Sequence, residues 1–421
     1  MLPSRGHLKP SRDHRERNLP PIPSRNRRQA VCMIPSPTMI FKLTALTPLL
    51  VGDGRELAPI DYMVWKDQVN VLDQTRIFKL LARGPRLDGY LAQLRKATKL
   101  DFASWGGFAQ NFSQRRIPFE DPGSTAIWNA APSESLFIQT FAANLNGPYL
   151  PASALKGALR SGLVFARWSV GTIERAASSI EGDRVPRRIA EAAEASAGAS
   201  QMKIVSMADA QPAPGAVFKI YLTRTASLDT RQPGQPQMAW KVAGRGSVPA
   251  QRIADSTPIF AEMAAPGTSF DGSWDERAFF ENQELARFLG WRSVPEPAMI
   301  TDAANQYASA QLILHSRFAE MSGLSSLQNG VKRLQSELES VRNAPRTCLL
   351  SLGWGGGFAS KSAFLDTNLD SYRKILRAVP AIGRGIRENV PFPKTRRVIF
   401  TGGQPSALPG WVKLELNGEA E

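Results

Sequence analysis

Between Pro148 and Trp168 the chain reads PYLPASALKGALRSGLVFARW, with Lys156, Arg160 and Arg167 spaced four and then seven residues apart. On a helix that spacing puts the three cations on roughly one side, where like charges four apart repel by roughly 0.2–0.5 kcal/mol. Gly157 in the same stretch costs about 1 kcal/mol against alanine. A sequence that accepts both implies a close backbone approach and an anion opposite, and the anion expected is a nucleic-acid phosphate. Ser153 reads as the N-cap, with Leu155, Leu159, Leu163 and Ala166 as the buried stripe.

A second constellation is LGWGGGFASKS, residues 352–362. Gly353, Gly355, Gly356 and Gly357 permit positive φ and bring backbone N–H groups close to a phosphate. Lys361 supplies a charge, Ser360 is placed to cap a following helix, and Trp354 and Phe358 are placed to stack on bases or to fill a core. A hairpin turn that needs glycine for geometry alone is the competing reading. The stretch is also a near miss for a Walker A loop, because Ser360 stands where the second glycine belongs and no parallel sheet precedes it.

A third is the basic run Arg384, Arg387, Lys394, Arg396 and Arg397, kept extended by Pro391 and Pro393. It suits cations tracking a phosphate backbone, or equally a solvated loop. For catalysis the residues to weigh are carboxylates: Asp53, Asp61, Asp67 and Asp73 crowd one region without an evident base or cation beside them. That pattern gives little support for phosphodiester cleavage, and solvated turn positions are expected.

The elements that must hold these residues follow from periodicity. Phe41, Leu43 and Ala45 alternate with Ile40, Lys42 and Thr44 as a half-buried strand, and GWVKLEL near the end does the same with Val412, Leu414 and Leu416 inward. DYMVWK and QVNVLD form a hairpin about Asp67, followed by a helix over 75–82. VFKIYLTR, 217–224, is a strand, 231–246 a mobile connection, 173–200 a weakly specified helical stretch, and about 302–342 one long helical region. Strand, turn, hairpin and helix in that order suggest an α+β fold and not repeated βαβ units.

A length of 421 residues makes two domains the default, with Pro212–Gly215 as the break. The expected division is a basic disordered arm over 1–38, one domain over 39–215 and another over 216–421 that carries a helical insertion and the glycine-rich loop. That arm is expected either to touch RNA or, equally, to be a translated leader with Met33 or Met39 as the true start. The net charge of +15 favours a polyanionic partner, RNA or DNA ahead of a membrane. Two cysteines, Cys32 and Cys348, and three histidines, His7, His14 and His315, exclude a disulfide framework and make a histidine metal cluster an unsupported reading. No metal or cofactor is expected, and the setting that suits the cysteine usage is a reducing cytoplasm. No apolar run is long enough to cross a bilayer.

With LTPLLVGDG at 46–54 and LPASALKGALRS at 150–161, the chain resembles the RAMP superfamily of CRISPR effector subunits. LGWGGGFASKS, PFPKTRRV at 391–398 and LPGWVKLEL at 408–416 narrow the resemblance to the fifth-Csm-subunit family of type III-A complexes. The resemblance implies RRM-like ferredoxin folds with helical insertions. It implies a non-catalytic role at the end of the effector filament, holding the 3′ portion of the CRISPR RNA and supporting its maturation. Partners would be CRISPR RNA, target RNA, the backbone RAMP subunit and the small helical subunit. Asp61 in PIDYMVWKD resembles the position of the backbone subunit's RNA-cleaving aspartate, but Tyr62 and Met63 follow where that subunit has a small residue and proline. A metal-dependent endoribonuclease is therefore the alternative, and a protein scaffold with incidental basicity is a third reading. PKTR inclines Lys394 and Arg396 toward a structural or RNA-contacting role.

Overall fold

Alternation in MIFKLTA and WVKLEL produces two central strands of one sheet. Met39–Ala45 and Trp411–Glu419 pair antiparallel, Phe41 opposite Leu416 and Leu43 opposite Leu414. Ser269–Glu276 flanks the first and Thr347–Ser351 the second, with Val205–Met207 and Gln211–Pro212 on the outer side of the Ser269 strand. A seven-stranded sheet orders Gln404–Ala407, Thr395–Thr401, Phe218–Asp229, Ile259–Ala264, Ile138–Gln139 and Glu56–Leu57, with Gln237–Trp240 also on the Phe218 strand. Ile138–Gln139 pairs parallel with Ile259–Ala264. The expected hairpin, Tyr62–Trp65 with Gln68–Leu72, turns on Lys66 and Asp67, both at positive φ, and takes Ser113–Pro118 as a third strand.

This computed structural model describes residues 38–96, 111–180, 191, 194, 199–229, 236–244, 246–277, 282–291, 294–383, 386 and 392–419. The expected arm, and with it His7, His14 and Cys32, lies outside them except for Thr38, as do Arg384, Arg387, Pro391 and most of 181–198.

Residues Ser36–Glu421 cluster as one compact unit. The proposed break at Pro212–Gly215 does not separate two sheets: each large sheet takes strands from both sides of it. The long helical region is two helices, Pro297–Ser322 and Ser325–Val341, because Gly323 ends the first in the left-handed conformation. The connection over 231–246 contains the Gln237–Trp240 strand. Adjacent residues Trp411 and Val412 face opposite ways and belong to two different core clusters, so the final strand starts buried on both faces, while Lys413 and Glu415 further along are half-buried. Among the described residues no helix is long and apolar enough to cross a membrane.

Candidate nucleic-acid interface

Three of the sequence motifs meet in a backbone knot. Leu352 N–H donates to Gly410 O (2.9 Å), Trp354 N–H to Leu50 O (2.8 Å) and Gly410 N–H to Pro48 O (3.0 Å). Trp411 N–H donates to Thr47 Oγ1 (3.0 Å) while its carbonyl accepts from Leu46 and Thr47. A Cβ at Gly353 would stand 2.3 Å from Leu50 O, and one at Gly410 2.1 Å from Leu352 O, so these glycines permit the close approach. Geometry alone therefore accounts for part of the glycine-rich loop.

The rest of that loop walls a cavity of about 540 Å³. Gly355, Gly356, Gly357 and Lys361 meet Pro393, Thr395 and Arg397 of the proline-basic stretch, together with Thr225 and Lys241. Among the described residues no aspartate or glutamate lines it. Lys241 and Lys361 are exposed, and their ammonium groups have no partner among the described residues. Arg397 stacks on the Trp354 ring, its guanidinium carbon 3.9 Å from the centroid. Burial pushes its pKa down to about 10, which leaves it protonated at neutral pH. A cation pre-positioned on an aromatic face, two ammonium groups and a glycine turn, with no counter-charge among the described residues, are groups that can hold an anion. From below, the Tyr307 hydroxyl meets the carbonyls of Ala359 (2.7 Å) and Ser362 (2.6 Å), and Gln311 Nε2 donates to Ala359 O at 2.7 Å.

Several expectations are corrected here. Arg396 also borders the cavity, but its head is buried: Nε donates to His315 Nδ1 (2.8 Å), Nη1 to Pro393 O and Thr395 O, and the group lies 4.8 Å over Phe318. Burial lowers its pKa to about 9, and its role in this structure is to tie its strand to the Pro297 helix. Lys394 is half-buried, its carbonyl accepts from Leu228, and it does not line the cavity. Phe358 packs edge-on against Phe392 (4.9 Å) in an apolar cluster and Arg397 covers one face of Trp354, while both half-buried rings also border the cavity. Ser360 donates to Gly357 O within a turn, and the next helix waits until Asp370. The Walker A geometry is therefore absent.

The cationic helix forms as Ala152–Arg167, yet its details differ. Ser153 lies inside the first turn; the N-cap position is Pro151, and the capping hydrogen bond comes from outside the helix, Asp209 Oδ1 accepting from Ala152 N–H at 2.7 Å. Ala166 is exposed, and a Cβ built at Gly157 would meet nothing within 4 Å. The close contact is at Gly162, where a Cβ would stand 2.8 Å from Ala304 Cα. Lys156 Nζ donates to Val205 O (2.5 Å), with burial and the Arg277 charge lowering its pKa. Arg160 pairs with Glu194 (2.6 Å), and Arg167 binds Gln201 and the Met299 sulfur, burial again lowering its pKa. All three cations have protein partners and none lines the glycine-loop cavity. The structure does not bring the two regions into one groove. The Arg160–Glu194 pair is solvent-exposed and therefore weak, so a phosphate can compete for that arginine.

The carboxylates are turn residues. Asp61 Oδ2 accepts from Ala58 N–H (2.8 Å), Asp73 caps the Gln74–Leu81 helix, Asp67 accepts from Thr125 and Asp53 pairs with Arg55. Lys241 and the stacking role of Arg397 were missed in the sequence. Lys241 sits in the stretch read as mobile; alternation along Thr395–Thr401 is the signal that would have turned Arg396 and Arg397 to opposite faces.

A family model for the RAMP superfamily matches residues 42–272, and the chain belongs to that superfamily. No curated protein matches it. Its fold, α+β of the RAMP type, is similar to a chain in a cryo-EM Csm–crRNA–target RNA ternary complex of a type III-A CRISPR-Cas system. The two are 20% identical with a TM-score of 0.54, over 90% of this chain and 100% of that one. It is also similar to the crystal structure of Csm5 from T. onnurineus, at 18% identity and a TM-score of 0.52, covering 88% of this chain and 99% of that one.

Proposed function

We propose that the chain is a non-catalytic RNA-binding subunit of a type III-A CRISPR effector ribonucleoprotein. It stands at the end of the filament, holds the 3′ portion of the CRISPR RNA and supports its maturation, in contact with the backbone RAMP subunit, the small helical subunit and target RNA. The observation that carries this reading is the match in fold along 99% of the Csm5 chain, reached from 88% of this one. The net charge of +15 and a cavity lined by lysines and arginines, with no carboxylate among the described residues, fit a ribose-phosphate ligand. Gly355, Gly356, Gly357, Lys241, Lys361 and Arg397 form the contact; Arg160 is an auxiliary one. The Asp61 carboxylate of the endoribonuclease alternative is engaged in its own turn.

A tag on this chain, expressed with its genomic neighbours, provides the test. Mass spectrometry and RNA sequencing of the purified assembly should return RAMP subunits and repeat-derived RNA. Isolation of this polypeptide alone, without RNA, would contradict the proposal.

A further inference from the structure

Thr225 and Arg224 are adjacent on the Phe218–Asp229 strand and line different cavities. Thr225 borders the basic cavity; Arg224 borders a groove of about 760 Å³. Its walls are mostly apolar, with Ile127, Ala130, Pro132, Val242 and Ile253 among them. Arg224 is only 3% exposed. Its Nη1 donates to the Ser256 carbonyl and to Ser256 Oγ, but its Nε is buried without a hydrogen-bond partner. Among the described residues no carboxylate pairs with it. Asp255, which also lines the groove, is engaged by Arg252 through two bonds of 2.8 and 3.1 Å.

Buried guanidinium groups are as a rule paired with an anion and have every donor satisfied. Arg224 meets neither condition, so its environment is incomplete without a further acceptor. A carboxylate is the acceptor whose geometry suits an arginine edge. The walls decide what carries it. An RNA strand presents charges and hydroxyls at every nucleotide and would leave them against alanine, isoleucine and proline, whereas a polypeptide can place apolar side chains there and a single acid over Arg224.

We infer that the Arg224 groove is a docking site for a protein partner, taking a segment in which one carboxylate side chain lies between apolar residues. The site is independent of the RNA reading and stands if that reading fails.

A phage-displayed library of random 12-residue peptides, selected on the full chain, tests it. Selection should enrich a glutamate or aspartate flanked by large aliphatic or aromatic residues. Binding of a selected peptide, read by fluorescence anisotropy, should fall at least tenfold on exchanging its acid for the amide, and likewise with Arg224→Met. Should Arg224→Met fail to fold, Ala130→Trp, at an exposed position, fills the groove and must abolish binding. Enrichment of no motif, of a motif without an acid, or of peptides indifferent to these variants overturns the inference. Displacement of the peptide by an oligouridine overturns it in favour of RNA.

Discussion

Arg396 and Arg397 are neighbours in sequence with opposite duties. The first satisfies carbonyls and the His315 ring inside the core; the second rides on Trp354 at the cavity wall. Arg396→Ala removes the donor to His315 Nδ1 and to the Pro393, Thr395 and Leu314 carbonyls and opens a void, so it should cost on the order of 3 kcal/mol in chemical denaturation. Arg397→Ala should keep the fold and weaken RNA binding. His315 adds a pH dependence, because burial first and the Arg396 charge second hold its pKa well below the usual 6.5. The unfolded chain binds a proton below that value and the folded one does not. Stability from the neutral ring is therefore complete above 6.5 and drains as the pH falls toward the depressed folded pKa. Thermal scans from roughly pH 7.5 down to 5 should show Tm falling, with a shallower fall in His315→Gln.

At the scale of elements, the cationic helix is started by a residue 57 positions away: Asp209 accepts from Ala152 N–H. Asp209→Ala should cost about 1 kcal/mol by equilibrium unfolding, while Ser153→Ala should be nearly neutral. Local periodicity made much of the fold readable. The alternation of Phe41, Leu43 and Ala45, the hairpin about Asp67 and the inward Val412, Leu414 and Leu416 all stand where sequence placed them. Non-local partners were unreadable. Nothing near Lys156 announces Val205 or Glu194, so three like charges on one face implied an outside anion when the counter-groups lie within the chain. The two glycine-basic stretches were legible as sites, but their union with Lys241 depends on the non-local pairing of the Phe218–Asp229 and Thr395–Thr401 strands. Gly323 followed by Ser325 carried a visible stop and start signal for the two helices, which helical propensity over 302–342 obscured.

At the scale of the whole molecule, both large sheets draw strands from each half of the chain, and the motif knot joins residues 46–54 to 352–357 and 408–411. That closure holds the glycine turn against the arginine strand, so the cavity is a property of the complete unit and not of either half. An excess of fifteen positive charges attracts any polyanion, and bulk affinity for RNA alone would not distinguish a built site from diffuse attraction. Salt dependence at named residues does. Dissociation constants for a single-stranded RNA should be measured from low to moderate salt, for the native protein and for Lys241→Ala with Lys361→Ala. Loss of two phosphate contacts should flatten the logarithmic slope by about 1.4 and weaken binding uniformly across sequences. An unchanged slope in the folded double variant would contradict the assignment of the glycine-loop cavity to the RNA backbone.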